Sequence, residues 1–191
     1  MRYPVDHKAR THRRIVKRAA RQFRAEGLGG PGVVKVMQAS GLTQGGFYKH
    51  FASKEDLLIQ AIEESLREIG GKLTDWAGQA PDGQAWQEIV SRYLSIEHCE
   101  HANKGCPMAA LAPDIARSAP LFKKRIAPGM RAYREQLARF MPGKGPAEKS
   151  RNLMVIFAAM LGAIAIARTM SDRESKQRLL SSVREHLLAS F

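Results

Sequence analysis

Aromatic residues make up only 7% of this 191-residue chain, and Ala, Leu, Arg and Met prevail over β-branched runs. That balance favours helices over strands, so the chain is expected to be all-α. Cysteine is nearly absent, with Cys99 and Cys106 alone, too few for a disulfide framework in a chain of this size. The N-terminus is polar and basic, with no apolar stretch of the kind a secretory signal carries, and both features point to a reducing cytoplasm. No apolar run reaches the roughly 20 residues that span a bilayer. The longest, Leu153 to Ala167, has 15 residues and reads as a buried helix, with no membrane partner. Internal repeats and low-complexity tracts are also missing.

Negative charge is scarce where positive charge is dense. Residues 1–54 hold twelve Lys and Arg against Asp6 and Glu26, a net of +10, whereas the other 137 residues contribute only +3 of the total of +13. Each cation that neutralises a phosphate releases condensed counterions, so this asymmetry points to a polyanion as the partner of the N-terminal part. Charge alone leaves a solvated basic face equally open.

Hydrophobic periodicity and breakers divide the chain into about nine helices. His7 to Ala25 carry Ile15, Val16, Ala19, Ala20 and Phe23 on one stripe, and Gly27 ends that helix. A short helix is expected over Val33–Ala39, stopped by Ser40-Gly41, and another over Gln44–Phe51, capped by Thr43. Ser53, followed by Glu55 and Asp56, opens a long helix to about Trp76. Helices follow at about 84–101, 106–117, 119–141, 147–170 and 173–189. The expected division is a helix-turn-helix domain over 1–54 and a helical effector-sensing and dimerisation domain over 55–191.

Two short helices joined by a tight Gly-containing turn form a helix-turn-helix, whose second helix enters the major groove. Gly45 and Gly46 each cost about 1 kcal/mol in a helix. Their use here fits a backbone that must approach DNA closely, leaving Gln44 to pair with a base edge such as adenine. The run from Gly41 to Leu58, GLTQGGFYKHFASKEDLL, resembles the signature of the TetR/AcrR family of transcriptional regulators. The resemblance implies DNA contacts from Thr43 and Gln44 at the helix start, phosphate contacts from Tyr48 and His50, a backbone or base contact from Lys49, and a phosphate contact from Lys54. Phe47 and Phe51 are expected to pack beneath. Pro31-Gly32 stands where many relatives carry Thr or Ser, which shifts the expected charge contact to Lys35.

For the C-terminal part, the same resemblance implies a ligand cavity among the middle helices, with Trp86, Tyr93, Cys106, Met108, Leu111, Phe122, Ile126, Met130, Phe157 and Met160 as lining candidates. Apolar residues at helical spacing are ordinarily core, and sequence does not separate the two. Gly105-Cys106-Pro107 resembles a subgroup with a Gly-Cys pair opening the sixth helix. A thiol there feels the positive helix end, with Lys104 nearby, which makes Cys106 a redox-sensor candidate or else an inert buried thiol. His98, Cys99, His101 and Cys106 match no established ligand spacing, so no metal is expected, and no cofactor motif is present. Ala158, Gly162, Ala163 and Ala165, with Leu180, Val183 and Leu187, are expected to form the homodimer contact.

The combined expectation is a homodimeric regulator of double-stranded operator DNA, most readily a repressor, released by a small-molecule or electrophile effector. A thiol enzyme using Cys106 with His98 or His101 lacks an orienting carboxylate and leaves the basic N-terminus unexplained. A non-specific nucleic-acid coat differs in its small specificity ratio.

Overall fold

A computed structural model describes residues 5–191, with backbone only for residues 5 and 6. The described residues form nine α-helices and two short 3-10 segments, with no strand. In order they are α1 (Val5–Glu26), α2 (Val33–Ala39), a 3-10 segment (Gln44–Lys49), α3 (Lys54–Gln79), α4 (Ala85–Tyr93), α5 (Ile96–Glu100), a second 3-10 segment (Ala102–Lys104), α6 (Pro107–Arg117), α7 (Pro120–Ala138), α8 (Pro146–Ala167) and α9 (Arg173–Ser190). The all-α expectation holds, but two helices differ from their expected form. The single helix expected over 84–101 breaks at Leu94, where Ser95 restarts the chain by accepting a hydrogen bond from the His98 amide at 3.1 Å. Such a cap satisfies an otherwise orphaned donor and makes a new helix start competitive with continuation.

Two apolar cores share α3. The stripe read on α1 is buried, and Ile15, Ala19, Ala20 and Phe23 meet Val36, Met37, Phe47, Phe51, Leu57 and Ala61 in a small N-terminal core. Ile59, Ile62, Leu66, Ile69 and Leu73 look into the larger core made with α4 to α9. The head therefore extends through the first two turns of α3, past the expected boundary at 54/55, because those turns roof its core. Ser53 caps α3 by accepting from the Asp56 amide at 3.0 Å, while Asp56 accepts from the Ala52 amide at 3.2 Å. This reciprocal pair satisfies two donors at once and sets the angle between the turn and the long helix.

Polar contacts bind the head to the rest. Gly27 closes α1 at φ 80°, in the left-handed region glycine tolerates, and the next amide, of Leu28, donates to Asp114 Oδ2 on α6 at 3.1 Å. Arg24, only 3% exposed, donates to Glu68 Oε2 on α3 at 2.8 Å and to the Asn103 carbonyl at 3.0 Å. By length and composition α8 could cross a membrane, with a mean hydropathy of 1.8. Its inner side, Leu153, Ile156, Met160, Ala163, Ile164 and Ala167, packs into the larger core.

Candidate nucleic-acid interface

The segment expected as a recognition helix is a 3-10 segment, Gln44–Lys49. Its bonds run Gly46 N–H to the Thr43 carbonyl at 3.2 Å and His50 N–H to the Phe47 carbonyl at 2.9 Å. Two consecutive glycines weaken α-helical pairing enough for the tighter i→i+3 pattern to compete. Thr43 takes the N-cap position in extended conformation, but its hydroxyl makes no capping bond. The turn before it reverses at Gly41, φ 69°. A side chain at Gly45 would meet nothing within 4 Å, so its face is open.

Phe47 and Phe51 are buried at 1% and 2% exposure, with ring centroids 5.4 Å apart, as expected of packing residues. They fix the outward direction of their neighbours. Tyr48 stands 79% exposed, and Thr43, Gln44, Gly45 and Lys49 are exposed beside it. His50 is half-buried, and its ring lies 6.0 Å from that of His12. Burial, followed by the charges of His12, Lys8 and Lys49, lowers its pKa below the usual 6.5.

Thr43, Gly46, Tyr48, Lys49 and His50 line one cleft of about 740 Å³, together with His7, Lys8, Thr11 and Arg14 of α1. The four α1 residues were not among the expected site residues. Their spacing of three to four residues puts them on one helix face, a periodicity that could have found them. A second groove runs along α1 between Arg10, Arg13, Arg14, Lys17, Arg18 and Arg21. The positive charge of the N-terminal part is thus concentrated on one helix and beside the 3-10 segment, where it makes a phosphate-sized, polycationic surface. Two expected residues lie elsewhere. Lys35 is held by Glu26 Oε2 at 2.6 Å, which offsets its charge. Lys54, exposed at the start of α3, lines a different groove with Leu28, Gly29, Asp114 and Arg117.

The sequence of this head matches the model for bacterial regulatory proteins, tetR family, over residues 15–61. Residues 15–61 are thus similar in sequence to the DNA-binding segment of tetR-family regulators. The chain is 30% identical over 111 residues to the HTH-type transcriptional regulator LmrA of Bacillus subtilis, a match covering 56% of this chain and 59% of LmrA. The match therefore spans about three fifths of that relative's length. Among solved structures, a TetR transcriptional regulator from Chloroflexus aurantiacus superposes with a TM-score of 0.78 at 21% identity, over 97% of this chain and 96% of that one. The transcriptional regulator FadR from Bacillus subtilis, solved in complex with stearoyl-CoA, gives 0.68 at 16% identity, over 94% and 98%. At these identities the two structures establish a shared fold.

In the C-terminal part the expected pocket residues all join the larger core. Trp86, Tyr93, Cys106, Leu111, Phe122, Ile126, Phe157 and Met160 are buried, and Met108 and Met130 are packed against them. Cys106 is the N-cap residue of α6, as the sequence indicates, but its exposure is 0%. Lys104 points to solvent. His98 and His101 are separated: His98 is 4% exposed, whereas His101 is exposed and its Nδ1 lies 2.8 Å from the Glu97 carbonyl oxygen. α5 ends at Glu100, and His101 leaves the helical path as its C-cap. His98 Nε2 instead accepts from the Cys106 amide at 3.3 Å. Of the expected dimer residues, Ala163, Leu180 and Leu187 belong to the chain's own core. Ala158 and Ala165 are exposed and Gly162 and Val183 half-buried, on the side where Met154, Val155 and Ile166 lie 48%, 56% and 54% exposed.

Burial, with Arg168 and Lys72 as lesser contributors, lowers the His98 pKa from 6.5 to about 3. Below pH 6.5 the unfolded chain takes a proton that the folded chain refuses, so stability present above that pH is lost as pH falls toward 3. The loss is about 1.4 kcal/mol per pH unit, or about 2 kcal/mol between pH 6.5 and 5. Urea unfolding at the two pH values should show His98→Gln spared that loss; equal losses in both proteins would refute the assignment.

Proposed function

We propose that the chain is a homodimeric, sequence-specific transcriptional repressor acting in the cytoplasm on double-stranded operator DNA, released by a small molecule bound in the C-terminal domain. The observation that carries the DNA-binding part is the cleft that joins Thr43, Tyr48, Lys49 and His50 to the basic face of α1. Gln44 and the open Gly45 face approach base edges, while Lys8, Arg14, Tyr48 and Lys49 hold phosphates. The outward apolar side of α8, with Leu188 and Phe191 exposed on and after α9, supports isologous pairing with a second copy, since exposed apolar surface of this kind marks an interface. Two heads related by a two-fold axis then reach successive major grooves about 34–36 Å apart. An effector works only through unequal affinity for the DNA-competent and DNA-incompetent arrangements. Release by modification of Cys106 is the less favoured route, because a reagent must first enter the core to reach a thiol with 0% exposure. The FadR neighbour with bound stearoyl-CoA supports a ligand in a domain of this shape.

The test is fluorescence anisotropy against the DNA upstream of the protein's own coding sequence and against scrambled DNA, at two salt concentrations. Preference for one sequence by about 10³ or more is expected. Gln44→Ala should cost about 1–3 kcal/mol on the preferred sequence and relax its specificity, whereas Lys49→Ala should weaken all sequences alike and lower the salt slope by about 1. Equal binding of preferred and scrambled DNA would identify a non-specific coat instead.

A further inference from the structure

In the middle of the larger core, a set of hydrogen-bond donors is left over. The hydroxyls of Tyr93 on α4 and Tyr133 on α7, on residues 0% and 2% exposed, have only the Cys106 thiol within hydrogen-bonding reach, and His98 Nδ1 and Arg168 Nη1, also buried atoms, make no hydrogen bond. They are neighbours. The rings of Tyr93 and His98 are 4.2 Å apart, Tyr93 interacts electrostatically with Tyr133, Cys106 and Arg168, and Arg168 donates to the Cys99 and His98 carbonyls at 3.0 and 3.3 Å. Buried polar atoms in folded proteins are nearly always well bonded, and a thiol is a weak acceptor, so two unbonded nitrogens beside two phenols that share one thiol point to a missing, stronger partner.

The chemistry of that partner follows from the protons. His98 is uncharged in this environment and its Nε2 accepts from the Cys106 amide, so its single proton sits on Nδ1, which is a donor. Both phenols can donate, and guanidinium nitrogens only donate. Arg168 has no carboxylate partner among the described residues, so a positive charge is present without its counter-ion. The leftover groups require an acceptor, and the unpaired charge favours an anionic one. Phe157 lies against Tyr133, ring centroids 5.7 Å apart, and Trp86, Ile89 and Ile126 belong to the same core, which suits an apolar body. A groove of about 630 Å³ between α3, α4 and α5 reaches the set at His98, which lines it together with Lys72, Trp76, Ser91, Ser95, Glu97 and the paired Glu88 and Arg92. The Lys72 ammonium lies 4.9 Å from the Trp76 ring, placing a cation at the entrance.

From these observations we infer that the core of the C-terminal domain binds a small apolar monocarboxylate, its carboxylate held by the Tyr93 and Tyr133 hydroxyls and Arg168. The inference rests on the effector-released reading proposed above and names its ligand class. Octanoate and phenylacetate are suitable probes, with octanamide and phenylacetamide as neutral isosteres, titrated into the full-length protein without DNA and followed by melting temperature and tryptophan fluorescence. The acids are expected to raise the melting temperature where the amides do not. Tyr93→Phe and Tyr133→Phe should each weaken acid binding about tenfold, and the double variant should no longer separate acid from amide. Without ligand these variants should melt close to wild type, because each removes a hydroxyl whose partner, the Cys106 thiol, is only a weak acceptor. Equal effects of acid and amide on wild type, or acid binding unchanged in the double variant, would overturn the inference. Because the titration contains no DNA, it can fail while operator binding holds, and operator binding can fail while the acids bind.

Discussion

Phe47→Ala is expected to cost about 3–5 kcal/mol of stability and to abolish operator binding, the value typical of a fully buried aromatic cut to a methyl. Phe47 is 1% exposed, packs against Phe51 at 5.4 Å and lies edge-on to Tyr48 at 5.2 Å between ring centroids. It belongs to a core of only about a dozen side chains, so little neighbouring bulk is available to collapse into the space. The 3-10 segment has weak backbone pairing of its own, and Phe47 is what anchors it to α1 and α3. Urea unfolding read by circular dichroism gives the stability loss, and anisotropy on operator DNA gives the binding loss. A variant that lost less than about 1 kcal/mol, or that still bound DNA normally, would show that the segment is held by something other than this ring.

Arg24→Met should destabilise the protein by about 3 kcal/mol and loosen the head from the remainder. The guanidinium is buried at the end of α1 and joins three elements: α1 itself, Glu68 of α3 and the Asn103 carbonyl next to the Gly105-Cys106 turn. Removing one member of a buried pair usually costs about 3–5 kcal/mol. The lower figure applies because the Glu68 side chain is 31% exposed and recovers some hydration. Asp114 retains the only other polar link of this kind described above, to the Leu28 amide. Native-state hydrogen exchange should find amides of α1 and α2 opening well before those of α8 in the variant, whereas wild type exchanges both more slowly. Uniform exchange in the variant would mean that contacts other than Arg24 join the two parts. The same link joins the end of α1 to the Asn103 carbonyl, close in sequence to Cys106 of the larger core.

Much of the head was legible from sequence. The α1 stripe, the Ser53 cap and the inward Phe47 and Phe51 depend on local spacing and on residues a few positions apart, and the structure has them as expected. Misjudgements arose where two local preferences were nearly balanced. Gly45-Gly46 tipped a short helix to 3-10, and Ser95 divided a helix that hydrophobic periodicity alone would continue. The charge of Lys35 is visible in sequence, while its pairing with Glu26, nine positions away across a glycine-rich turn, is not.

By itself, the sequence determined the helical class, the positive head and the recognition motif, since each is written in composition or in residues close along the chain. Tertiary structure decided which face of α8 and α9 turns inward, so that Ala163, Leu180 and Leu187 are buried in the chain's own core while Ala158, Ala165 and Ile166 stay exposed. It also decided that Cys106 is buried and that Tyr93, Tyr133, His98 and Arg168, drawn from three helices and a helix end, share one interior. Apolar spacing states that a side chain is to be buried but carries no information about which distant neighbours will surround it, and a polar group's missing partner can be recognised only after all its neighbours are in place.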